Sequence, residues 1–262
     1  MNALNGARIL VTRPERQAGN LCSLIEQQHG VAVAFPTIDI VAANDCDRIA
    51  ATLAHLHRFQ WLVFISANAV NFALLANGGK IDQFRGVRIA AIGRATARAL
   101  DAAGLKADLL PEHGSDSDAL LATPPMQRVA GQRILIVRGA GGLEKLGQEL
   151  KHRGADVDTL DVYRRVIPSV DPEPVLDLLR QDRLDLITAT SGEALQNLLT
   201  MLGEKNRSLA LAIPLVVVSD RIRQIAENSG FGRIFVTDSP SDTAILEKII
   251  IWATGEKSGR TE

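Results

Sequence analysis

Hydroxyl groups, glycines and arginines stand directly after the short apolar runs of this sequence, a placement that can bind anions. In parallel α/β sheets, ligands bind outside the carboxyl ends of the strands. Helix N-terminal amides and guanidinium groups at such an edge bind carboxylate or phosphate. The strand-end residues predicted to bind a substrate in this way are Thr12, Arg13, Ser66, Asn68, Gly93, Arg94, Thr96, Arg138, Gly139, Thr190, Ser191, Gly192, Ser219 and Arg221.

The four arginines of this set are the strongest part of the prediction. Each is expected at the start of a helix, where a cation opposes the helix macrodipole by about 0.3 kcal/mol or more. Any single one can be a solvated turn residue, but four such placements favour a bound anion. The hydroxyls are weaker indicators, since Thr12, Ser66, Thr190 and Ser191 can equally be helix N-caps.

Tyr163 is the only tyrosine of the chain, and it directly follows the strand predicted at residues 157–162. A lone tyrosine is more often a packing residue with a satisfied hydroxyl. At a strand end, its phenol can instead donate a proton or a hydrogen bond to a leaving hydroxyl. We therefore predict Tyr163 as the candidate catalytic residue, with packing as the alternative.

The elements that must position these residues are alternating strands and helices, and they occur twice. RILVTR at residues 8–13 is followed about 125 residues later by RILIVR at residues 133–138. Ser66, Ile92 and the pair Ser117-Asp118 have counterparts at similar spacing in Thr190, Val218 and Ser241-Asp242. We interpret the chain as an internal duplication with an α/β fold of two doubly wound parallel-sheet domains.

Two irregular segments, 37–45 and 164–171, are predicted to be linkers because they contain residues that interrupt helices and strands. Residues 1–36 plus 172–262 then form one discontinuous domain, and residues 46–163 form a domain inserted into it. Two chain crossings would make a two-stranded linker with a cleft between the domains. Within the inserted domain, Leu143, Leu146 and Leu150 predict the apolar face of a helix after the glycines at 139–142. The last helix is expected to reach Trp252, with a frayed tail beyond it.

Composition excludes several classes of protein. A net charge of −1 argues against a nucleic-acid-binding protein. Two cysteines and five histidines without ligand spacing predict no metal and no disulfide framework. No run approaches the ~20 apolar residues of a membrane span, and the start shows no secretory signal. We expect a cytoplasmic monomer without a cofactor.

The chain resembles the uroporphyrinogen-III synthases over nearly its full length. The resemblance rests on five motifs: ILVTRP at 9–14 with Gln17-Ala18, FISANAV at 64–70, IAAIGRATARAL at 89–100, LDVYRRV at 160–166 and SPSD at 239–242. It implies two α/β domains and a cofactor-free hydro-lyase reaction of haem biosynthesis on hydroxymethylbilane, a linear polycarboxylate tetrapyrrole. In that reaction the bilane loses water and closes with its ring D inverted, through a spiro intermediate. A transient contact with the upstream deaminase is also implied.

The resemblance also implies roles for individual residues. Tyr163 matches the family tyrosine proposed to assist loss of the hydroxyl, and Thr96 matches the threonine of the GxAT pattern. Ser66 matches the serine before a helix, and Ser191-Gly192 matches the second-domain SG turn. At residues 219–222 the chain departs from the Gly-x-Thr-like turn of many relatives, where Arg221 can substitute as an anion contact.

Two alternatives from other classes stay open at this point. A non-catalytic, two-domain hinged protein that binds a small polyanion would share the arginine-rich strand ends but gives no role to Tyr163. A nucleotide-dependent transferase or dehydrogenase would share the fold class. The glycines at 139–142 match neither a P-loop nor G-x-G-x-x-G, which counts against nucleotide binding.

Overall fold

The computed structural model describes residues 3–142 and 144–257. The chain divides into two compact units, which we call unit 1 (Met1–Asp39 with Val166–Glu262) and unit 2 (Ile40–Arg165). The strands are β1 (Arg8–Val11), β2 (Val31–Ala34), β3 (Asp39–Ala42), β4 (Trp61–Phe64), β5 (Arg88–Ala91), β6 (Arg133–Gly139), β7 (Asp156–Val166), β8 (Leu186–Ala189), β9 (Leu215–Val217) and β10 (Ile234–Val236). The α-helices are α1 (Glu15–Gln27), α2 (Cys46–Leu53), α3 (Ala67–Ala76), α4 (Asp82–Arg85), α5 (Arg94–Ala102), α6 (Ser117–Leu121), α7 (Pro124–Gln127), α8 (Lys145–His152), α9 (Glu173–Arg180), α10 (Gly192–Leu202), α11 (Arg207–Leu211), α12 (Asp220–Ser229) and α13 (Asp242–Lys257).

Each unit is built on its own five-stranded sheet. The strand order is β10-β9-β8-β1-β2 in unit 1 and β3-β7-β6-β4-β5 in unit 2. Seven of these strand pairs are parallel. The predicted fold class of two parallel-sheet α/β domains is therefore confirmed.

The central strands are apolar on both sides because helices cover both faces of each sheet. In unit 1, Leu10 and Ile187 pack on the side of α9–α12, while Ile9 and Leu186 pack on the side of α1 and α13. Unit 2 repeats this arrangement, with α2–α5 on one face and α6–α8 on the other. Alternate residues of each strand thus pack into two separate apolar layers, one on each face of the sheet.

The duplication is visible in the sheets themselves. The run β9-β8-β1-β2 of unit 1 has the same neighbours and order as β5-β4-β6-β7 of unit 2. Strand β4 begins at Trp61, and β8 begins about 125 residues later at Leu186. Strands β1 and β6 begin at Arg8 and Arg133, with the same spacing. At the position of β10, unit 2 retains a single parallel bridge between Ala90 and Leu109.

Unit 1 carries a buried polar network that its duplicate lacks. Thr12 donates its hydroxyl to the Thr188 carbonyl at 2.8 Å, and Thr188 donates to the Leu10 carbonyl at 3.0 Å. Thr37 donates to the Ala194 carbonyl at 3.0 Å. About 125 residues away, unit 2 replaces these three threonines with the valines Val137, Val63 and Val162.

Several segments differ from the sequence prediction. Residues 37–45, expected to be an irregular linker, contain strand β3, because Ile40 and Val41 favour an extended chain that hydrogen-bonds to β7. The expected linker at 164–171 is partly strand as well, since β7 continues to Val166. Helix α8 begins at Lys145, and Leu143 lies outside the described residues. Helix α13 runs past Trp252 to Lys257, and the remaining tail also lies outside them.

None of the helices in the described part of the chain is both long enough and apolar enough to cross a membrane.

Candidate active site

A cavity of about 540 Å³ opens in unit 2 beside the carboxyl ends of β4, β6 and β7. Ser66, Arg138, Gly139 and Tyr163, all predicted site residues, lie along its wall. The other charged residues of the wall are Asp116, Glu144, Lys151 and Arg165. The cavity therefore combines four hydroxyl-bearing side chains, Ser66, Ser117, Thr159 and Tyr163, with charges of both signs.

Tyr163 and Ser66 form the hydroxyl pair of this cavity. The Tyr163 phenol oxygen lies 3.2 Å from the Ser66 Oγ, although 97 residues separate the two in the chain. Ser66 is the N-cap of α3 and accepts a hydrogen bond from the Ala69 amide at 3.0 Å. This fixes the serine oxygen and leaves its proton available to the phenol or to a ligand. The tyrosine ring packs 5.7 Å from the ring of Phe72 and is only 4% exposed.

A β-bulge determines where the Tyr163 side chain points. Arg138 pairs with Asp161 along β6 and β7, but the next pair is Gly139 with Tyr163, so Val162 is an extra residue. Val162 and Tyr163 consequently contribute to the same apolar cluster, which strict alternation along a strand does not allow for successive residues. Bulges next to active sites commonly redirect a side chain in this way.

Gly139 provides the space that the redirected ring occupies. A Cβ at this position would lie 2.5 Å from Cε2 and Cζ of Tyr163 and 2.9 Å from its hydroxyl. The absence of a side chain at Gly139 is thus what permits the tyrosine to lie across the end of β6. Gly139 was predicted as a substrate contact, and its observed contact is with Tyr163.

Arg138 is not at a helix start, contrary to the prediction. Strand β6 continues through Gly139, and a turn intervenes before α8. Its guanidinium donates from Nε to Asp161 Oδ1 at 2.8 Å and from NH1 to the Gly142 carbonyl at 3.2 Å. The arginine side chain is 13% exposed, so most of its surface is covered by protein.

The remaining predicted residues of unit 2 lie at the starts of two helices. Gly93 is the extended N-cap of α5, and a Cβ there would lie 2.6 Å from Cβ of Ser115. Arg94 is the exposed first residue of α5 and makes no ion pair with any described residue. Thr96 is buried, and Asn68 is half-buried near the start of α3. None of these four lines the cavity of Tyr163.

In unit 1, the first two predicted residues have internal partners. Thr12 is fully buried within the polar network of β1 and β8 and does not cap a helix. Arg13 forms an ion pair with Asp242 and donates to the Pro240 carbonyl at 3.3 Å. Asn20 donates to the other oxygen of Asp242 at 2.6 Å. The duplicated arginines Arg13 and Arg138 are therefore both neutralised by a carboxylate.

The other predicted residues of unit 1 lie at the starts of α10 and α12. Ser191 caps α10 by accepting from the Ala194 amide at 3.0 Å, as Ser66 does in unit 2. Thr190 precedes it, and Gly192 packs so closely on Ile225 that a Cβ would lie 2.5 Å away. Ser219 caps α12 by accepting from the Ile222 amide at 3.4 Å. Arg221 is exposed in the first turn of α12 and has no carboxylate partner among the described residues.

Sequence reasoning missed Asp161 and Phe72, which contact Arg138 and Tyr163. The available signal for Asp161 was an acidic residue between Leu160 and Val162, close to the predicted strand end. Phe72 gave no signal, since an aromatic residue on a helix face is usually part of a core. Among the described residues, no group of three His, Cys, Asp or Glu side chains is placed to hold a metal ion.

Comparison with known proteins connects this chain to one family. A family model described as uroporphyrinogen-III synthase HemD matches residues 20–247. The chain is 34% identical over 244 residues to the uroporphyrinogen-III synthase of Salmonella typhimurium, covering 92% of this chain and 99% of that protein. It is 32% identical over 243 residues to that of Escherichia coli, with the same coverage of both chains.

Solved structures show the same fold at low identity. A mutant uroporphyrinogen III synthase from Thermus thermophilus matches with a TM-score of 0.63 and 17% identity, over 96% of this chain and all of that chain. The synthetase from Helicobacter pylori matches with a TM-score of 0.60 and 14% identity, over 92% of this chain and 97% of that one. By its sequence matches, and in agreement with these folds, the chain belongs to the uroporphyrinogen-III synthase family.

Proposed function

We propose that this protein is a uroporphyrinogen-III synthase, a hydro-lyase that cyclises hydroxymethylbilane with inversion of ring D. The observation that carries the proposal is the match to the two bacterial synthases, which spans 92% of this chain and 99% of each relative. The parallel-sheet domains and the hydroxyl pair of unit 2 are consistent with it.

The reaction places two demands on the protein. The terminal hydroxyl of the bilane must leave as water, which requires a proton donor. The flexible chain must also be held so that ring D attacks through its substituted carbon, because the unassisted bilane closes to the type I isomer without inversion. Orienting reacting groups in this way can lower a barrier by about 7–11 kcal/mol.

Tyr163 is our candidate for the proton donor. A neutral phenol has an O–H to give, and Ser66 holds its oxygen at 3.2 Å on the wall of the cavity. As the C–O bond of the substrate breaks, the phenol donates its proton to the departing oxygen. Loss of water leaves a phenolate and an azafulvenium cation, and the pyrrole N–H proton returns to the phenolate to give the neutral azafulvene. Ring D attacks this azafulvene to form the spiro intermediate that fragments and recloses.

Arg94 and Arg221 are our candidates for contacts with the substrate carboxylates. Both are exposed at the starts of helices of nine and ten residues and have no ion pair within the described part of the chain. Arg13 and Arg138 are less suitable, since Asp242 and Asp161 already neutralise them. We propose further that the protein acts as a cytoplasmic monomer on bilane supplied by the upstream deaminase, without a cofactor.

An isomer assay tests the proposal. Hydroxymethylbilane is generated in situ by its deaminase, this protein is added, and the oxidised products are separated into type I and type III uroporphyrin. We expect type III in its presence and type I in a parallel reaction without it. Type I alone at the spontaneous rate would contradict the synthase function, and binding of the bilane without turnover would favour the hinged binding protein.

A further inference from the structure

We propose that the Arg138–Asp161 ion pair is a positioning device that holds the bulge of β7 and thereby aims the Tyr163 phenol. This inference rests on the proposed function, because Tyr163 is the residue whose position it explains. It assigns to Arg138 a role different from the substrate-anion contact that the sequence predicts.

The Arg138 guanidinium is already bound on two sides. Its Nε donates to Asp161 Oδ1 at 2.8 Å, and its NH1 donates to the Gly142 carbonyl at 3.2 Å. These charge-assisted bonds hold the side chain against the strand and against the turn that follows it. An arginine bound in this way is poorly placed to receive an additional carboxylate from a ligand.

The ion pair lies directly before the bulge along the two strands. Arg138 and Asp161 are the last regular partners of β6 and β7 before the register shifts at Val162. Directly after the shift, the Ala140 amide donates to the Tyr163 carbonyl at 2.8 Å. The bulge is therefore fixed on one side by the ion pair and on the other by a backbone hydrogen bond.

The bulge determines the direction of the Tyr163 side chain. In a regular register Val162 would pair with Gly139. The Tyr163 side chain would then lie on the same face of the sheet as Asp161, opposite to the face of Val162. With the bulge in place, the tyrosine ring lies over Gly139 and its hydroxyl reaches Ser66. Loosening the pair should let the bulge move along β7 and carry the phenol away from Ser66.

The duplicated unit supplies an internal contrast. The corresponding strands β1 and β2 pair from Arg8 with Val31 to Val11 with Ala34, a segment that ends before the position equivalent to the bulge. The corresponding arginine, Arg13, pairs with Asp242 in α13 instead of with a neighbouring strand. The cross-strand ion pair and the tyrosine thus occur together in unit 2, which carries the candidate proton donor.

The test compares Asp161→Asn and Arg138→Met with a matched control, Asp156→Asn. Asp156 forms an ion pair with Arg133, Nε to Oδ2 at 3.2 Å, across the same two strands but at their opposite ends. All variants are assayed for kcat, KM and the type III fraction with hydroxymethylbilane. Thermal unfolding identifies any variant that loses its fold.

If the pair positions Tyr163, both Asp161→Asn and Arg138→Met lower kcat by about 10- to 100-fold with KM unchanged, since a misplacement of about 1 Å can cost that much. The control Asp156→Asn keeps the wild-type kcat. Tyr163 is the only tyrosine of the chain. Subtracting the near-ultraviolet circular dichroism spectrum of Tyr163→Phe from that of the wild type therefore isolates the tyrosine band. We expect this band to weaken in both variants and to persist in the control.

Two results would overturn the inference. If Arg138→Met raises KM while Asp161→Asn leaves KM unchanged or lowers it, Arg138 is a substrate ligand and not a positioning residue. Wild-type kcat in Asp161→Asn would show that the pair does not position the phenol. Neither result contradicts the proposed function as long as the wild-type protein forms type III uroporphyrin. The proposed function itself would be contradicted if the wild-type protein formed only type I.

Discussion

Gly139→Ala is the change that most directly tests whether the phenol of Tyr163 must lie across the end of β6. The added methyl group would lie 2.5 Å from two carbons of the tyrosine ring. Carbon atoms in contact settle at about 3.5–4.0 Å, so the ring must retreat by about 1 Å. Phe72 packs against the ring at 5.7 Å between centroids, which limits a simple tilt.

The magnitude follows from this displacement. Overpacking a filled site costs about 1–3 kcal/mol, so the free energy of unfolding should fall by that amount. A shift of about 1 Å also lengthens the 3.2 Å contact with Ser66 beyond hydrogen-bonding distance. Misplacing a catalytic group by that distance can cost about 100-fold in rate, which corresponds to about 2.7 kcal/mol in the barrier.

The assay measures kcat for type III formation beside the thermal unfolding transition. Gly86→Ala is the matched control, since Gly86 lies in the same unit, has a φ of −87° and has no atom within 4 Å of an added Cβ. We expect the control to keep both its activity and its stability. If Gly139→Ala turned over at the wild-type rate with its fold intact, the argument that the ring position governs catalysis would be refuted.

Three further predictions concern the hydroxyls and thiols. Tyr163→Phe should lower kcat without unfolding the protein, because the buried ring stays while the proton donor is lost; unchanged turnover would remove the phenol from the mechanism. Thr12→Val should lower the free energy of unfolding by about 1 kcal/mol, measured by denaturant titration, since the buried bond to the Thr188 carbonyl is lost; an equally stable variant would contradict this. Burial raises the pKa of the Cys22 thiol above its ordinary value of 9.0, so less reactive thiolate is present at pH 8. Iodoacetamide followed by peptide mass mapping should therefore modify the exposed Cys46 first, and equal rates at the two thiols would be inconsistent with the burial of Cys22.

Much of the fold was predictable because its signals are local and repeated. Apolar runs alternate with helical segments at a spacing that recurs after about 125 residues, and the two sheets reproduce that repeat strand by strand. Strand β3 was missed because Pro36 and the polar residues at 44–45 mask a short apolar segment. That segment becomes a strand through its pairing with β7, which a local pattern does not contain.

The candidate site was predictable as a set of residue types but not as a set of contacts. Tyr163 and Ser66 stand at strand ends in the sequence, and their hydrogen bond joins residues 97 positions apart. The partners of the arginines were likewise not predictable, since Arg13 forms an ion pair with Asp242, which lies 229 positions away in the chain. A sequence shows that a cation is present, but its partner depends on which distant carboxylate the packing brings within reach.

The sequence by itself determined the α/β class, the duplication and the strand ends at which polar residues gather, because hydrophobic periodicity and capping act over a few neighbouring positions. Tertiary structure alone decided which of those residues face a cavity. One extra residue at Val162 turns Tyr163 over Gly139, and one carboxylate at Asp161 neutralises Arg138. Both outcomes depend on the register between two strands that lie 23 positions apart in the chain, and side-chain direction reverses with each single-residue shift of that register.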